Sequence, residues 1–166
     1  MPRKPREFPV EIPEYIHTYR KVELEWDQSE EDVWIMRSEY ERRQALRLIE
    51  HEVIFEYEGI ALEYCAKVHR GLCLDCGAEN VGSVRGYTPD FYFPLTDVFV
   101  ETKGKFDSQN RTKMKEVCLQ TKDDIRMVFM RDNWLTKKRK MNYSRWCTIN
   151  DIPYAIGDIP LEWTGA

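Results

Sequence analysis

Tyr87-Thr88-Pro89-Asp90-Phe91-Tyr92-Phe93-Pro94-Leu95-Thr96-Asp97-Val98-Phe99-Val100-Glu101-Thr102-Lys103-Gly104 reads as two aromatic- and valine-rich strands around a short polar turn. Side chains alternate along a strand, so Glu101 and Lys103 share one face while Val98, Val100 and Thr102 take the other. A turn centred on Leu95-Thr96 sets Asp90 opposite Glu101, with about 5 Å between their β-carbons. Two carboxylates that close repel unless a cation lies between them. An oxygen-rich pair suits a hard divalent ion, Mg²⁺ or Mn²⁺. Lys103, one pleat further, supplies a positive charge or activates a water. Such a set fits phosphodiester hydrolysis. The alternative is a surface hairpin whose charges pair with each other and with solvent.

Upstream, Ser29-x-x-Asp32 resembles a capping box and predicts a helix over about 30–51. Trp34, Ala45, Leu48 and Ile49 fall on one side of it, widened by Ile35 and Leu46. Glu41 lies on that same side, either at its watery edge or pointing into a functional pocket, because a buried carboxylate needs a partner. Residues 1–28, with four prolines, predict an arm or irregular extension whose Arg3, Lys4 and Arg6 could touch phosphates. Residues 29–166 predict the main domain. Within it, Val53–Tyr57 and Ile60–Val68 are expected as strands and 69–86 as a loop-like insertion. Tyr87–Phe93 and Val98–Lys103 follow as strands, then Ser108–Gln120 as a helix and Ile125–Met130 as a strand. A basic loop over 131–140, a short helix over Asn142–Asn150 and an apolar tail complete the order. This order predicts a mixed α/β domain with a central sheet flanked by helices.

The Pro89-Asp90 and Glu101-Thr102-Lys103 spacing resembles the PD-(D/E)xK nuclease motif, which implies a restriction-endonuclease-like core. Arg37-Ser38-x-x-Glu41, Phe55-Glu56-Tyr57-Glu58, the hairpin itself, Asp124-Ile-Arg126-x-Val-Phe129 and Ile159-Pro160-x-Glu162-Trp163 stand in the order found in the bacteriophage endonuclease I family. The resemblance covers about residues 35–163. It implies an endodeoxyribonuclease acting on branched DNA such as Holliday junctions. Asp90, Glu101 and Glu41 would be the metal-binding carboxylates and Lys103 the catalytic lysine, with Glu56 and Thr102 supporting. It also implies an intertwined homodimer in which Glu41 completes the partner's site. Residues 1–28 have no clear counterpart, and the segment from Tyr57 to Tyr87 is longer than the family's usual bridge.

That longer segment holds Cys73-Leu-Asp-Cys76-Gly77, which looks like half of a zinc knuckle. Cys65 and His69 could complete four ligands, or two knuckles could meet across a dimer; a loop with reduced thiols is the plain alternative. Cys118 and Cys147 suit core packing. Lys137, Lys138, Arg139 and Lys140 suit phosphate contacts, and Lys105, Arg111, Lys113 and Lys115 extend that track.

Charge supports such a surface despite a net of −4. Residues 11–63 hold 6 Lys and Arg against 15 Asp and Glu, whereas residues 101–150 hold 13 against 6. His17, His51 and His69 form no triad-like grouping, and neither a Ser or Cys nucleophile signature nor a phosphate-binding glycine loop is present. No apolar run approaches the length of a membrane helix and the first residues lack a signal peptide, so a soluble cytoplasmic protein is expected. Two rivals stay open: a nuclease of the same superfamily acting on linear duplex, of homing or nicking type, and a catalytically silent DNA-binding protein.

Overall fold

The computed structural model describes residues 6–23, 32–66 and 83–166. Its centre is a five-stranded sheet in the order β3-β6-β7-β8-β9. These strands are β3 (Glu56–Tyr57), β6 (Phe91–Phe93), β7 (Val98–Lys103), β8 (Asp124–Phe129) and β9 (Tyr154–Ile156). β6 runs antiparallel to both its neighbours, β3 and β7, and β7, β8 and β9 run parallel. The parallel pair β7–β8 needs a crossover, which helix α3 (Ser108–Gln120) supplies.

The hairpin has the register expected from its turn. Phe91 pairs with Val100, Tyr92 with Phe99 and Phe93 with Val98, so Asp90 is next in line with Glu101. Asp97 closes the turn at φ 55°, a left-handed conformation that a short acidic side chain tolerates.

Period-two alternation divides the core in two. Val98, Val100, Phe91, Phe93 and Val128 bury against helix α2 (Glu39–Glu50) and the strands before it. Phe99, Ile125, Met127 and Phe129 bury against α3 and helix α4 (Tyr143–Ile149). The mixed central sheet flanked by helices is therefore present as expected.

The N-terminal half departs from the sequence reading in three places. Val33–Met36 is a strand, β2, and the helix begins only at Glu39. A short apolar run does not by itself distinguish strand from helix, and pairing with a distant partner decided this one. That partner is strand β1 (Phe8–Glu11), with Val10 opposite Trp34. Ile35 and Leu46, expected to widen the apolar side, are exposed. Of the expected capping box, Ser29 lies outside the described residues.

Second, the described part of the expected irregular arm is ordered structure. After β1 comes helix α1 (Glu14–Glu23), and Val10, Ile12 and Ile16 are core residues. Arg20 of α1 makes a buried two-pronged ion pair with Glu56, Nε to Oε1 at 2.7 Å and NH2 to Oε2 at 2.5 Å. Its guanidinium also lies 5.3 Å from the centre of the Trp34 ring.

Third, Ser83–Gly86, read as the end of a loop, and Tyr87, read as the start of a strand, together form strand β5 (Ser83–Tyr87), paired antiparallel with β4 (Leu62–Ala66). The expected strand Tyr87–Phe93 breaks at Thr88–Asp90, between β5 and β6. Gln120 ties this ribbon to α3, accepting from Cys65 N at 2.6 Å and donating to Cys65 O at 2.9 Å. Among the described residues no helix is long and apolar enough to cross a membrane.

Candidate active site

The site lies where β6, β7 and the start of α2 meet. Three chain segments fix it. The hairpin register brings Asp90 beside β7, and its Oδ2 accepts from both Thr102 N and Thr102 Oγ1 at 2.7 Å. Thr102, an expected supporting residue, thus orients the Asp90 carboxylate. Asp90 O in turn accepts from Glu58 N at 3.0 Å, which joins β3's end to the same corner.

On β7, the Glu101 carboxylate is gripped from two sides. Lys103 Nζ pairs with Oε1, and Tyr87 OH donates to Oε2 at 2.6 Å. Asp90 and Glu101 are 5% and 3% exposed, so both charges are largely out of water. Burial first, and then the charge of Glu101, push the Asp90 carboxyl up to about 8, against the pull of Lys103. For Lys103, burial alone would lower the ammonium pKa. The carboxylates of Glu101, Asp90 and Glu41 outweigh that and hold it above its ordinary value.

Helix α2 presents Glu41 to this corner. Its true N-terminal cap is Ser38, whose Oγ accepts from Glu41 N at 3.1 Å and donates to Glu41 Oε1 at 2.7 Å. Ser38-x-x-Glu41 thus has the spacing of a capping box, one that the sequence displayed, with Glu41 reaching back to Arg37 N and the Ser38 hydroxyl. Glu41 Oε2 accepts from Arg37 N at 3.0 Å and from Tyr57 OH at 2.6 Å. The helix is held across the sheet by its far side. Tyr40 OH donates to Gly157 O at 2.7 Å, and Gln44 Oε1 accepts from Ile159 N at 2.9 Å.

Three groups here were not singled out from sequence. Tyr57 and Tyr87 each donate to a site carboxylate, and each phenol is pushed above its usual range, by burial first and then by its acidic partner. Glu58 faces Arg37, Nε to Oε1 at 2.8 Å. Burial first, and then Glu41 and Glu101, raise its carboxyl despite Arg37. Phe55-Glu56-Tyr57-Glu58 carried Tyr57 and Glu58 as a block but gave no sign of which acid turns toward the site. Glu56, the one expected to support it, is committed to Arg20 with both oxygens.

Among the described residues, no three His, Cys, Asp or Glu side chains gather closely enough to hold a metal ion. Donors already occupy Glu41 and Glu101. Asp90 and Glu101 still match a hard cation in chemistry: two buried carboxylates, with burial first and the charge of Glu101 second raising the Asp90 pKa. Mg²⁺ commonly takes only one or two protein carboxylates, with waters and substrate phosphate filling its octahedron.

Of the expected zinc ligands, Cys73, Cys76 and His69 lie outside the described residues; Cys65 is on β4. Cys118 and Cys147 pack in or against the α3–α4 side of the core, and burial pushes their thiols up to about 11 and about 12, which makes them inert. Lys105, Lys137, Lys138, Arg139 and Lys140 are exposed, while Arg111 and Lys113 are half-buried. The basic loop leaves the sheet at the Lys103 end, where Met130 N donates to Lys103 O at 3.0 Å. Arg85, Lys113 and Lys115 line a groove of about 1010 Å³ between the β4–β5 ribbon and α3.

A family model described as phage endonuclease I matches residues 24–165. Endonuclease I of Escherichia phage T7 is 39% identical over 79 residues, covering 46% of this chain and 52% of that protein. Endodeoxyribonuclease 1 of Enterobacteria phage T3 is 39% identical over 77 residues, covering 45% and 50%. The chain spans about half the length of the curated relatives it matches.

Proposed function

We propose that this chain, which belongs to the phage endonuclease I family, is a divalent-metal-dependent endodeoxyribonuclease that hydrolyses phosphodiesters in branched DNA such as Holliday junctions. One observation carries the reading: two buried carboxylates, Asp90 immediately before β6 and Glu101 on the neighbouring β7, lie beside the ammonium of Lys103.

Asp90 and Glu101 are the residues that would hold Mg²⁺ or Mn²⁺, with Glu41 the third acid. A bound ion would polarise the phosphate and acidify a water. The protein's own groups do the positioning. Thr102 orients Asp90, and Tyr87 orients Glu101. Lys103 offsets the charge that builds on the phosphate and steers the attacking water. Glu41, held by Ser38 and Tyr57, closes the acidic side. Arg85, Lys105, Arg111, Lys113 and the 137–140 loop supply phosphate contacts that set affinity and choose DNA by shape. Structural zinc at Cys65, His69, Cys73 and Cys76 stays part of the proposal; metal analysis of protein purified without chelator, finding no zinc, dismisses it.

A four-way junction needs two paired cuts, which a two-fold dimer supplies. We extend the proposal to a homodimer in which Glu41 serves the partner's site. Among the described residues, segment 8–66 meets segment 83–166 through β3 on β6, β4 on β5 and α2 on the Gly157–Ile159 turn. The same surfaces are available to the equivalent segment of a second copy.

The test is cleavage of a four-way junction and a matched linear duplex with magnesium by wild type, Asp90→Asn and Lys103→Ala. The junction should be cut and the duplex spared, with both variants nearly inactive yet still binding the junction. Equal cutting of both substrates favours a duplex nuclease. A fully active Lys103→Ala protein sinks the assignment of the site.

A further inference from the structure

Trp134 is 51% exposed in a loop, residues 131–140, that is otherwise polar or charged except for Leu135, which packs against the core. Its exposure is built in. Trp134 is bridged to Asn142, Leu135 N donates to Met141 O at 2.8 Å, and Tyr143 N donates to Asn133 O at 3.1 Å. The Asp132 carboxylate fastens the return strand, accepting from Asn142 Nδ2 at 2.8 Å and from Ser144 Oγ at 2.6 Å. A rigid loop therefore holds a large planar apolar group in water.

The indole lines a cleft of about 330 Å³ together with Lys105, Arg111 and the buried Phe106 and Tyr143. Arg111 is anchored there by its donation to Phe106 O at 2.8 Å. The cleft stands at the Lys103 end of the sheet, since the loop's root is bonded to Lys103 O. A flat apolar surface beside two cations, next to the catalytic strand, has the chemistry of a nucleotide site: base on the ring, phosphate on the charges. In an intact duplex both faces of each base are covered by neighbours. A free face exists only where the stack is interrupted.

We propose that Trp134 is a stacking platform for a nucleobase laid bare where DNA strands exchange, with Arg111 and Lys105 taking the adjacent phosphate. The proposal rests on the nuclease reading above and explains how this chain selects branched DNA over duplex.

The full chain carrying Asp90→Asn is compared with the same protein carrying Trp134→Ala or Trp134→Phe. Each is titrated onto a four-way junction with 2-aminopurine at the exchange point, a matched duplex, and a single strand bearing the same base. The parent should quench the 2-aminopurine in the junction and in the single strand. Trp134→Ala should lose that quench and bind the junction about ten-fold more weakly, with duplex affinity unchanged, while Trp134→Phe keeps most of both. Unchanged quenching and junction affinity in Trp134→Ala overturn the proposal. If the parent itself shows no preference for the junction, the branched-DNA reading fails instead. The single strand then decides stacking alone: loss of its quench in Trp134→Ala supports the platform, and retention overturns it.

Discussion

Tyr87 OH donates a 2.6 Å hydrogen bond to Glu101 Oε2, so β5, beside the site, holds a carboxylate that β7 places in it. Lys103 occupies the other oxygen, and the Lys113 ammonium lies 5.0 Å from the centre of the Tyr87 ring. Tyr87→Phe keeps the packing and removes only the donor. The lost bond, to a charged acceptor, is worth ~1.5–3 kcal/mol. We expect kcat to fall about ten-fold with DNA affinity unchanged, and the magnesium concentration needed for half-maximal rate to rise. Single-turnover cleavage across a magnesium series measures both. An unaltered magnesium dependence would show that the phenol merely fills space.

Asp90 makes a prediction about stability and pH. Its carboxyl is held at about 8 in the folded chain, against an ordinary value near 3.8. Between those two values folding takes up a proton, so stability falls as pH rises through that window. Metal-free wild type should therefore melt lower at pH 8 than at pH 5. Asp90→Asn removes this titration and should melt higher than wild type at pH 8, by about 5 °C, since 1 kcal/mol is worth ~2–4 °C at this size. Magnesium should raise the wild-type midpoint and leave Asp90→Asn unmoved. Calorimetry with chelator and then with magnesium reads all three; identical pH profiles for the two proteins refute the raised carboxyl.

The two acids just discussed were legible because a strand's period of two is rigid and Pro94–Asp97 left one good place to turn. Glu41 was legible as a residue but not in its setting. The apolar run Val33–Met36 fits helix and strand equally, and only its pairing with Phe8–Glu11 makes it a strand. That partner lay in a proline-marked stretch with no periodicity of its own. Tyr57, Tyr87 and Glu58 stayed hidden for a different reason. Their contacts join residues 14 to 16 positions apart in the tyrosine pairs, and 32 apart from Glu58 to Asp90, through tertiary geometry that no local spacing records.

The Arg20–Glu56 pair separates structural support from chemistry. Removing one member of a buried ion pair leaves the other charge uncompensated, at a cost of ~3–5 kcal/mol. Arg20 stands before the residues that match the family, so this pair bolts a preceding helix onto a family position. Glu56→Gln should lower the melting temperature by about 10 °C. Assayed well below that temperature, it should keep kcat within about three-fold of wild type. A folded Glu56→Gln protein without activity would move Glu56 into the catalytic set.

The origin of Glu41 is settled by mixing two inactive chains. Suppose one carries Glu41→Ala and the other Asp90→Asn, and the two are co-expressed with different tags and purified as the mixed dimer. If each site takes both acids from its own chain, both sites are broken and nothing is cut. If Glu41 crosses to the partner, one site receives two defective acids and the other receives two intact ones. We expect the second outcome: the mixed dimer should regain nicking of one junction strand at about half the wild-type per-dimer rate, without paired cleavage. The non-covalent meeting of segments 8–66 and 83–166 permits the exchange. A silent mixed dimer, with each parent homodimer folded and binding junctions, would place Glu41 in its own chain's site and assign β4–β5 to a hairpin closed within one copy.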